Sequence, residues 1–155
     1  MRSDRYRYTS ALLLLGPAAL LGGALGFQYI GGLPPCEMCM WQRWALVAAM
    51  VVALVGWAAG NVRAVLALAA LVVLAGAGIA AFHAGVEQHW WQGFTECTAT
   101  PVSGSASDII GQILSQPLIR CDAIPWSLFS ISMAGWNAII STVIGLTALW
   151  RLKQA

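Results

Sequence analysis

Four stretches without a charged residue constrain this chain more than any other feature: Ala11 to Ile30, Trp44 to Val62, Ala64 to Phe82 and Ala123 to Trp150. At about 1.5 Å per helical residue, roughly 20 residues cross a hydrocarbon layer of ~30 Å. The first three have that length. The fourth is longer, and Pro125 near its start places the beginning of its spanning part close to Phe129. None alternates apolar and polar residues as a membrane barrel strand does, so each is read as a helix. Composition agrees, with 59% hydrophobic residues and only 9% charged. A soluble domain carries about 25% charged residues to hydrate its surface, so most of this surface must face lipid. No basic run or basic stripe interleaved with aromatics points to nucleic acid.

Short connections make neighbouring helices antiparallel. The expected fold is an all-α membrane protein, an up-down-up-down bundle of four transmembrane helices. It forms a single integral membrane domain, residues 1–155, with spans near 11–30, 44–61, 64–83 and 129–150. Arg2, Arg5 and Arg7 ahead of the first span resemble the start of a signal peptide. That span is longer than a signal core and three more follow, so it is read as retained. Gly22 and Gly26, with Gly76 and Gly78, are small residues of the kind that let helices approach closely.

Positive residues stay on the cytoplasmic side of short loops. Six of the eight Lys and Arg (Arg2, Arg5, Arg7, Arg63, Arg151 and Lys153) fall on one side, and only Arg43 and Arg120 on the other. Both termini are therefore expected in the cytoplasm, with exported loops at 31–43 and 85–128. All four cysteines lie in those loops, where disulfides form and persist.

The first exported loop ends Pro34-Pro35-Cys36-Glu37-Met38-Cys39. The prolines stop a helix from running in from the first span. Cys36 then stands at the start of the second helix, where unpaired N–H groups and the helix dipole favour a thiolate. A C-x-x-C pair so placed is the usual arrangement of a redox-active disulfide. Arg43 follows Cys39 by four residues and shares its helix face. A permanent charge at the membrane edge needs a reason. It either reaches to lipid phosphates, or stabilises a thiolate or an anionic reduced acceptor. A four-cysteine zinc site normally brings a second close pair, whereas Cys97 and Cys121 are 24 positions apart.

The second exported loop holds turn residues at Gly93, Pro101, Ser103-Gly104-Ser105 and Pro117. Between them lies a short amphipathic helix candidate, capped by Ser107 or Asp108, with Ile109, Ile110, Ile113 and Leu114 on one side. Trp90 and Trp91 suit an interfacial position. Cys97 and Cys121 flank the segment. Such a pair is either a structural bridge or, beside a redox C-x-x-C, a disulfide open to attack and exchange. His83 and Glu87 close the third span four residues apart, at the membrane face that carries Arg43. There a histidine either donates to a quinone oxygen or is simply hydrated at the helix end.

Taken together, these residues resemble the bacterial disulfide bond formation protein B family, DsbB, over nearly the whole chain. The likeness runs through Pro35-Cys36-Glu37-Met38-Cys39, Gln42-Arg43, the stretch from His83 to Cys97, and Cys121 ahead of Pro125-Trp126. It implies an inner-membrane enzyme that reoxidises a periplasmic thioredoxin-like oxidase of the DsbA type, passing electrons to a membrane quinone, ubiquinone or menaquinone. It further implies that Cys97 forms the mixed disulfide with the partner and that Cys121 exchanges with Cys36. Cys39 becomes the thiolate that reacts with quinone, Arg43 holds the quinone head, and His83 lies near it. A quinone reductase of the vitamin K epoxide reductase type is a rival, but those proteins carry the quinone-facing pair on a late helix. A membrane protein with two structural bridges and no catalysis is the other.

Overall fold

The computed structural model describes residues 2–93 and 120–154, with side chains from Asp4 onward. Cys97 and the helix expected over residues 107–114 lie outside the described residues. Four helices are described: α1 (Arg2–Tyr29), α2 (Glu37–Ala58), α3 (Arg63–Glu87) and α4 (Met133–Lys153). All four are long and apolar enough to cross a membrane. They pack in a ring, α1 on α2, α2 on α3, α3 on α4 and α4 back on α1. This is the antiparallel four-helix membrane bundle.

The helices outrun the charge-free stretches because charged residues continue a helix readily once it leaves hydrocarbon. Hence α1 begins before Arg5 and α3 runs on through His83 to Glu87. At the other extreme α4 starts at Met133, later than the expected Phe129. Residues 127–132 form a small antiparallel hairpin instead, β1 (Ser127–Leu128) on β2 (Ile131–Ser132). Its two loop residues, Phe129 and Ser130, both have positive φ, at 52° and 62°. A tight turn of that hand matches strand twist but is incompatible with helix. Ser132 leaves the hairpin in extended conformation and caps α4, its hydroxyl accepting from the Gly135 N–H at 3.1 Å.

The core is built from small residues. Leu13, Ala49, Ala53, Leu66, Ala69, Ala70, Val73, Ile144 and Ala148 form its main cluster. Close approach falls on Gly76, as expected, and on Gly16 and Gly145, which the sequence did not single out. A Cβ on Gly145 would come within 2.5 Å of Leu74, one on Gly16 within 2.6 Å of Ile144, and one on Gly76 within 2.9 Å of Ala45. Nothing lies within 4 Å of such an atom on Gly22, Gly26 or Gly78. The spacing of Gly22 and Gly26 is right for packing, but their face of α1 points out of the bundle. Large apolar side chains cover the outside, among them Leu15, Val51, Leu54, Leu68, Leu71, Val143 and Leu146. The chain is a bundle coated in hydrocarbon, as a lipid-facing surface requires.

The two ends of the bundle differ. At one, Arg5 near the start of α1 donates to the Gln154 carbonyl at 2.9 Å, tying the termini together. At the other, Cys36, Met38, Val86 and Cys121 form a second buried cluster.

Candidate redox centre

The Cys36–Cys39 motif is set by local backbone chemistry. After α1 the chain turns through Gly32, at φ 67°, then passes without helix or strand through Pro34 and Pro35. Neither proline has an N–H to continue a helix, so α2 nucleates just beyond them with Cys36 as its N-cap. The Cys36 sulfur accepts the Cys39 N–H at 3.3 Å, filling the role of a capping oxygen. The two Sγ atoms stand 2.8 Å apart.

The helix start favours a thiolate at Cys36, and two features of its surroundings act against it. The Cys36 thiol is held well above the usual range, first because it donates to the Cys39 sulfur and second by burial.

Cys121 arrives from the far side of the sequence and is 1% exposed, packed beside Cys36. Arg120 and Asp122 flank it in a forked ion pair, with Nε to Oδ1 at 2.8 Å. The guanidinium holds the Asp122 carboxyl down at about 2. His83, 1% exposed, joins the two cysteine segments. Its Nε2 is 3.2 Å from the Cys121 carbonyl and 3.6 Å from the Cys36 sulfur. Hydration at a helix end is thereby excluded for this residue. Glu87, one turn on, is buried as well, 4.0 Å from His83 Nε2, and accepts the Ser132 hydroxyl.

Arg43 is turned into the bundle and does not reach for lipid phosphates. Its guanidinium donates to the Gln28 side chain and to the Ala24 carbonyl at 3.1 Å. Both lie near the C-terminal end of α1, the negative end of that helix dipole.

A cavity of about 590 Å³ opens beside these groups. Cys39, Arg43, His83 and Glu87 line its polar part, and Leu20, Leu46 and Ile140 its apolar part. Phe27 and Trp126 form an aromatic wall, with ring centroids 4.8 Å apart. The size suits a small organic ligand. Metal is a poorer fit. Donor atoms of Cys36, Cys39 and His83 fall within 4.8 Å of one another. However, two thiolates on one tetrahedral zinc stand about 3.8 Å apart, given Zn–S of ~2.3 Å, and these sulfurs are much closer.

Residues 6–151 match the family model described as disulfide bond formation protein DsbB. The chain belongs to the disulfide bond formation protein B family. Among its curated relatives, the disulfide bond formation protein B of Polaromonas naphthalenivorans is 33% identical over 94% of this chain and 90% of its own length. That of Aromatoleum aromaticum is 31% identical over 96% of each. That of Verminephrobacter eiseniae is 35% identical over 96% of this chain and 86% of its own. No solved structure matches the chain.

Within this DsbB-family chain, the structure gathers Cys36, Cys39, Cys121, Arg43 and His83 at one end of the bundle, while Cys97 is outside the described residues. Sequence reasoning passed over three members of the polar surround: Ser132, Asn137 and Ser141. The only signal was that Asn137 and Ser141 are polar side chains at i and i+4 in an apolar span, and Ser132, ahead of that span, carried none.

Proposed function

We propose that this enzyme is a thiol:quinone oxidoreductase that reoxidises a thioredoxin-like oxidase of the DsbA type. A thiolate of the reduced partner attacks Cys97, cleaving a Cys97–Cys121 disulfide and releasing the Cys121 thiolate. That thiolate attacks Cys36, breaking the Cys36–Cys39 bond and freeing Cys39 as the new thiolate. The partner's second thiol displaces Cys97, and the partner leaves with its disulfide restored. The freed Cys97 thiolate then displaces Cys36 from Cys121, restoring the Cys97–Cys121 disulfide and leaving Cys36 and Cys39 as a reduced pair. A quinone, ubiquinone or menaquinone, held in the cavity would supply the oxidant that takes two electrons and two protons from that pair as its disulfide re-forms.

The observation that carries this reading is the burial of Cys121 against Cys36 while Cys39 forms part of the cavity wall. One sulfur pair is thus poised to exchange, and its other member faces a ligand space. The residues fit a quinone: a flat ring suits the Phe27–Trp126 wall, and Arg43 keeps unused N–H donors for a carbonyl oxygen. We place the enzyme in the bacterial inner membrane, with termini and Arg63 cytoplasmic and the cysteine end periplasmic.

Mixing purified protein, a reduced thioredoxin-like oxidase and a quinone, and following quinone absorbance, tests the proposal. Cys36→Ser and Cys39→Ser are expected to abolish turnover. Arg43→Ala is expected to raise the quinone KM about tenfold or more, the worth of a lost charged hydrogen bond of ~1.5–3 kcal/mol. Turnover that survives Cys39→Ser would refute the assignment.

A further inference from the structure

Behind His83 stands a row of polar side chains that the exchange chemistry above does not use, with Gln42 and Ser141 buried and Asn137 half-buried. Ser141 Oγ donates to Asn137 Oδ1 at 3.0 Å, and Asn137 Nδ2 donates to Gln42 Oε1 at 2.7 Å. Gln42 Nε2 meets His83 Nδ1 at 2.8 Å. The row runs from α4 through α2 to α3, inside the membrane-spanning part of the bundle. Polar groups there are costly unless every member is satisfied.

Its direction is set from one end. The Cys121 carbonyl can only accept, so the His83 nitrogen facing it must carry the proton. With Nε2 protonated, the neutral ring has a bare Nδ1, which must be given a hydrogen. Gln42 supplies it by turning its NH2 toward the ring. Its oxygen then faces Asn137, whose NH2 must point to Gln42 and whose oxygen takes the Ser141 hydroxyl. Each of the four side chains has one orientation that satisfies its neighbours. Read from the other end, the row dictates the ring tautomer.

We infer that Gln42, backed by Asn137 and Ser141, is a positioning residue that keeps the His83 proton on Nε2, where it clamps the Cys121 backbone against the Cys36–Cys39 pair. The N–H lies between a carbonyl of one cysteine segment and a sulfur of the other. Moving that proton to Nδ1 sets a lone pair against the Cys121 carbonyl and releases the segment. The inference rests on the proposed exchange between Cys121 and Cys36.

The experiment reads the ring directly. The chain has two histidines, and His89 is exposed, so a His89→Gln background leaves one ring to observe. Nitrogen-15 NMR of the imidazole in micelles distinguishes a bare nitrogen from a protonated one. The parent should show Nδ1 bare and Nε2 protonated. Gln42→Glu offers His83 only acceptor oxygens, so Nδ1 should become protonated. Its thiol-exchange rate should fall about 10–100-fold at alkaline pH, the usual scale of a misplaced reacting group. The rate should recover as pH falls and a second proton returns to Nε2. The titratable or charged groups facing this ring among the described residues are Glu87 from α3, Cys36, Cys39 and Arg43 from the α2 end, and Arg120 and Cys121 before α4. None of these is altered in the variant. Asn137→Leu, which touches no atom of His83, should give a mixture of tautomers and an intermediate rate. Nδ1 protonated in the parent, Nδ1 bare in Gln42→Glu, or a tautomer change without a change in exchange rate would each overturn the inference. The tautomer shift in a protein that reduces no quinone would support the lock while overturning the redox reading.

Discussion

At the scale of single residues, the C-x-x-C pair divides its labour by hydrogen bonding. Cys36 is buried, caps α2 with its sulfur, and is pushed above the ordinary thiol range by its bond to the Cys39 sulfur. Only the thiolate is nucleophilic, so a thiol held protonated is slow toward alkylating agents. In the fully reduced protein, iodoacetamide near neutral pH should therefore modify Cys39 well before Cys36. The Cys36 rate should keep climbing with pH beyond the point where an ordinary thiol has levelled off. The sign follows from the shift: a raised pKa leaves less thiolate at any given pH. Mass spectrometry of peptides quenched over time measures both rates. Cys36 reacting first at neutral pH would reverse the roles given to the two sulfurs. In Cys39→Ser the neighbouring sulfur is gone, and the Cys36 rate should rise at neutral pH as its helix-end position takes effect.

At the scale of elements, contact between α3 and α4 depends on Gly145. A Cβ there would meet Leu74 at 2.5 Å and the Ala70 carbonyl at 3.3 Å. A flexible leucine can yield, but the backbone oxygen behind it cannot. Gly145→Val should cost about 1–3 kcal/mol, as overpacking generally does, read as a lower midpoint of unfolding in detergent. Gly22→Ala and Gly26→Ala, on an open face, should leave that midpoint unchanged or raise it slightly through helix propensity. The contrast shows where the sequence was legible. Long charge-free stretches announce helices because length and lipid solvation act on every residue in them. Pairing between helices depends on rotation about each axis, so a glycine motif does not say which way it faces. The hairpin at 127–132 was hidden for a related reason. Its turn uses Phe129 and Ser130 at positive φ, with none of the Asn-Gly or Asp-Gly pairs that announce such turns. Cys36, Cys39, Arg43 and His83 were legible because their residue types and spacing are unusual in an apolar chain. The Gln42, Asn137 and Ser141 row was not, because its members meet only after three helices have packed.

At the scale of the whole molecule, the bundle is polarised along its axis. One end carries the termini and most of the positive charge, the other Cys36, Cys39, Cys121 and the cavity. Positive residues resist translocation, and in short loops they set which end stays behind. Arg63 lies at the end of the tight α2–α3 connection, and Arg151 and Lys153 fall in the last turn of α4, both at the end shared with the N-terminus. Single cysteines introduced into a protein with its four native cysteines replaced by alanine can read this orientation. Ala59→Cys and Gln154→Cys mark one end at exposed positions, and Phe129→Cys, at a side chain 82% exposed, marks the other. A membrane-impermeant maleimide added to intact spheroplasts should label Phe129→Cys and reach the other two only after the membrane is opened. Labelling of Ala59→Cys in intact spheroplasts would put the Cys36–Cys39 end in the reducing cytosol, where Cys121 would be kept as a thiol with no disulfide to exchange. The chemistry requires the opposite: the partner's electrons must enter on the side where disulfides persist. In the proposed reaction they leave through the cavity lined by Cys39 and Arg43. A short chain with almost no soluble part can meet both conditions because, among the described residues, Cys36, Cys39, Cys121, Arg43 and His83 gather at the end where α2 begins and α3 finishes.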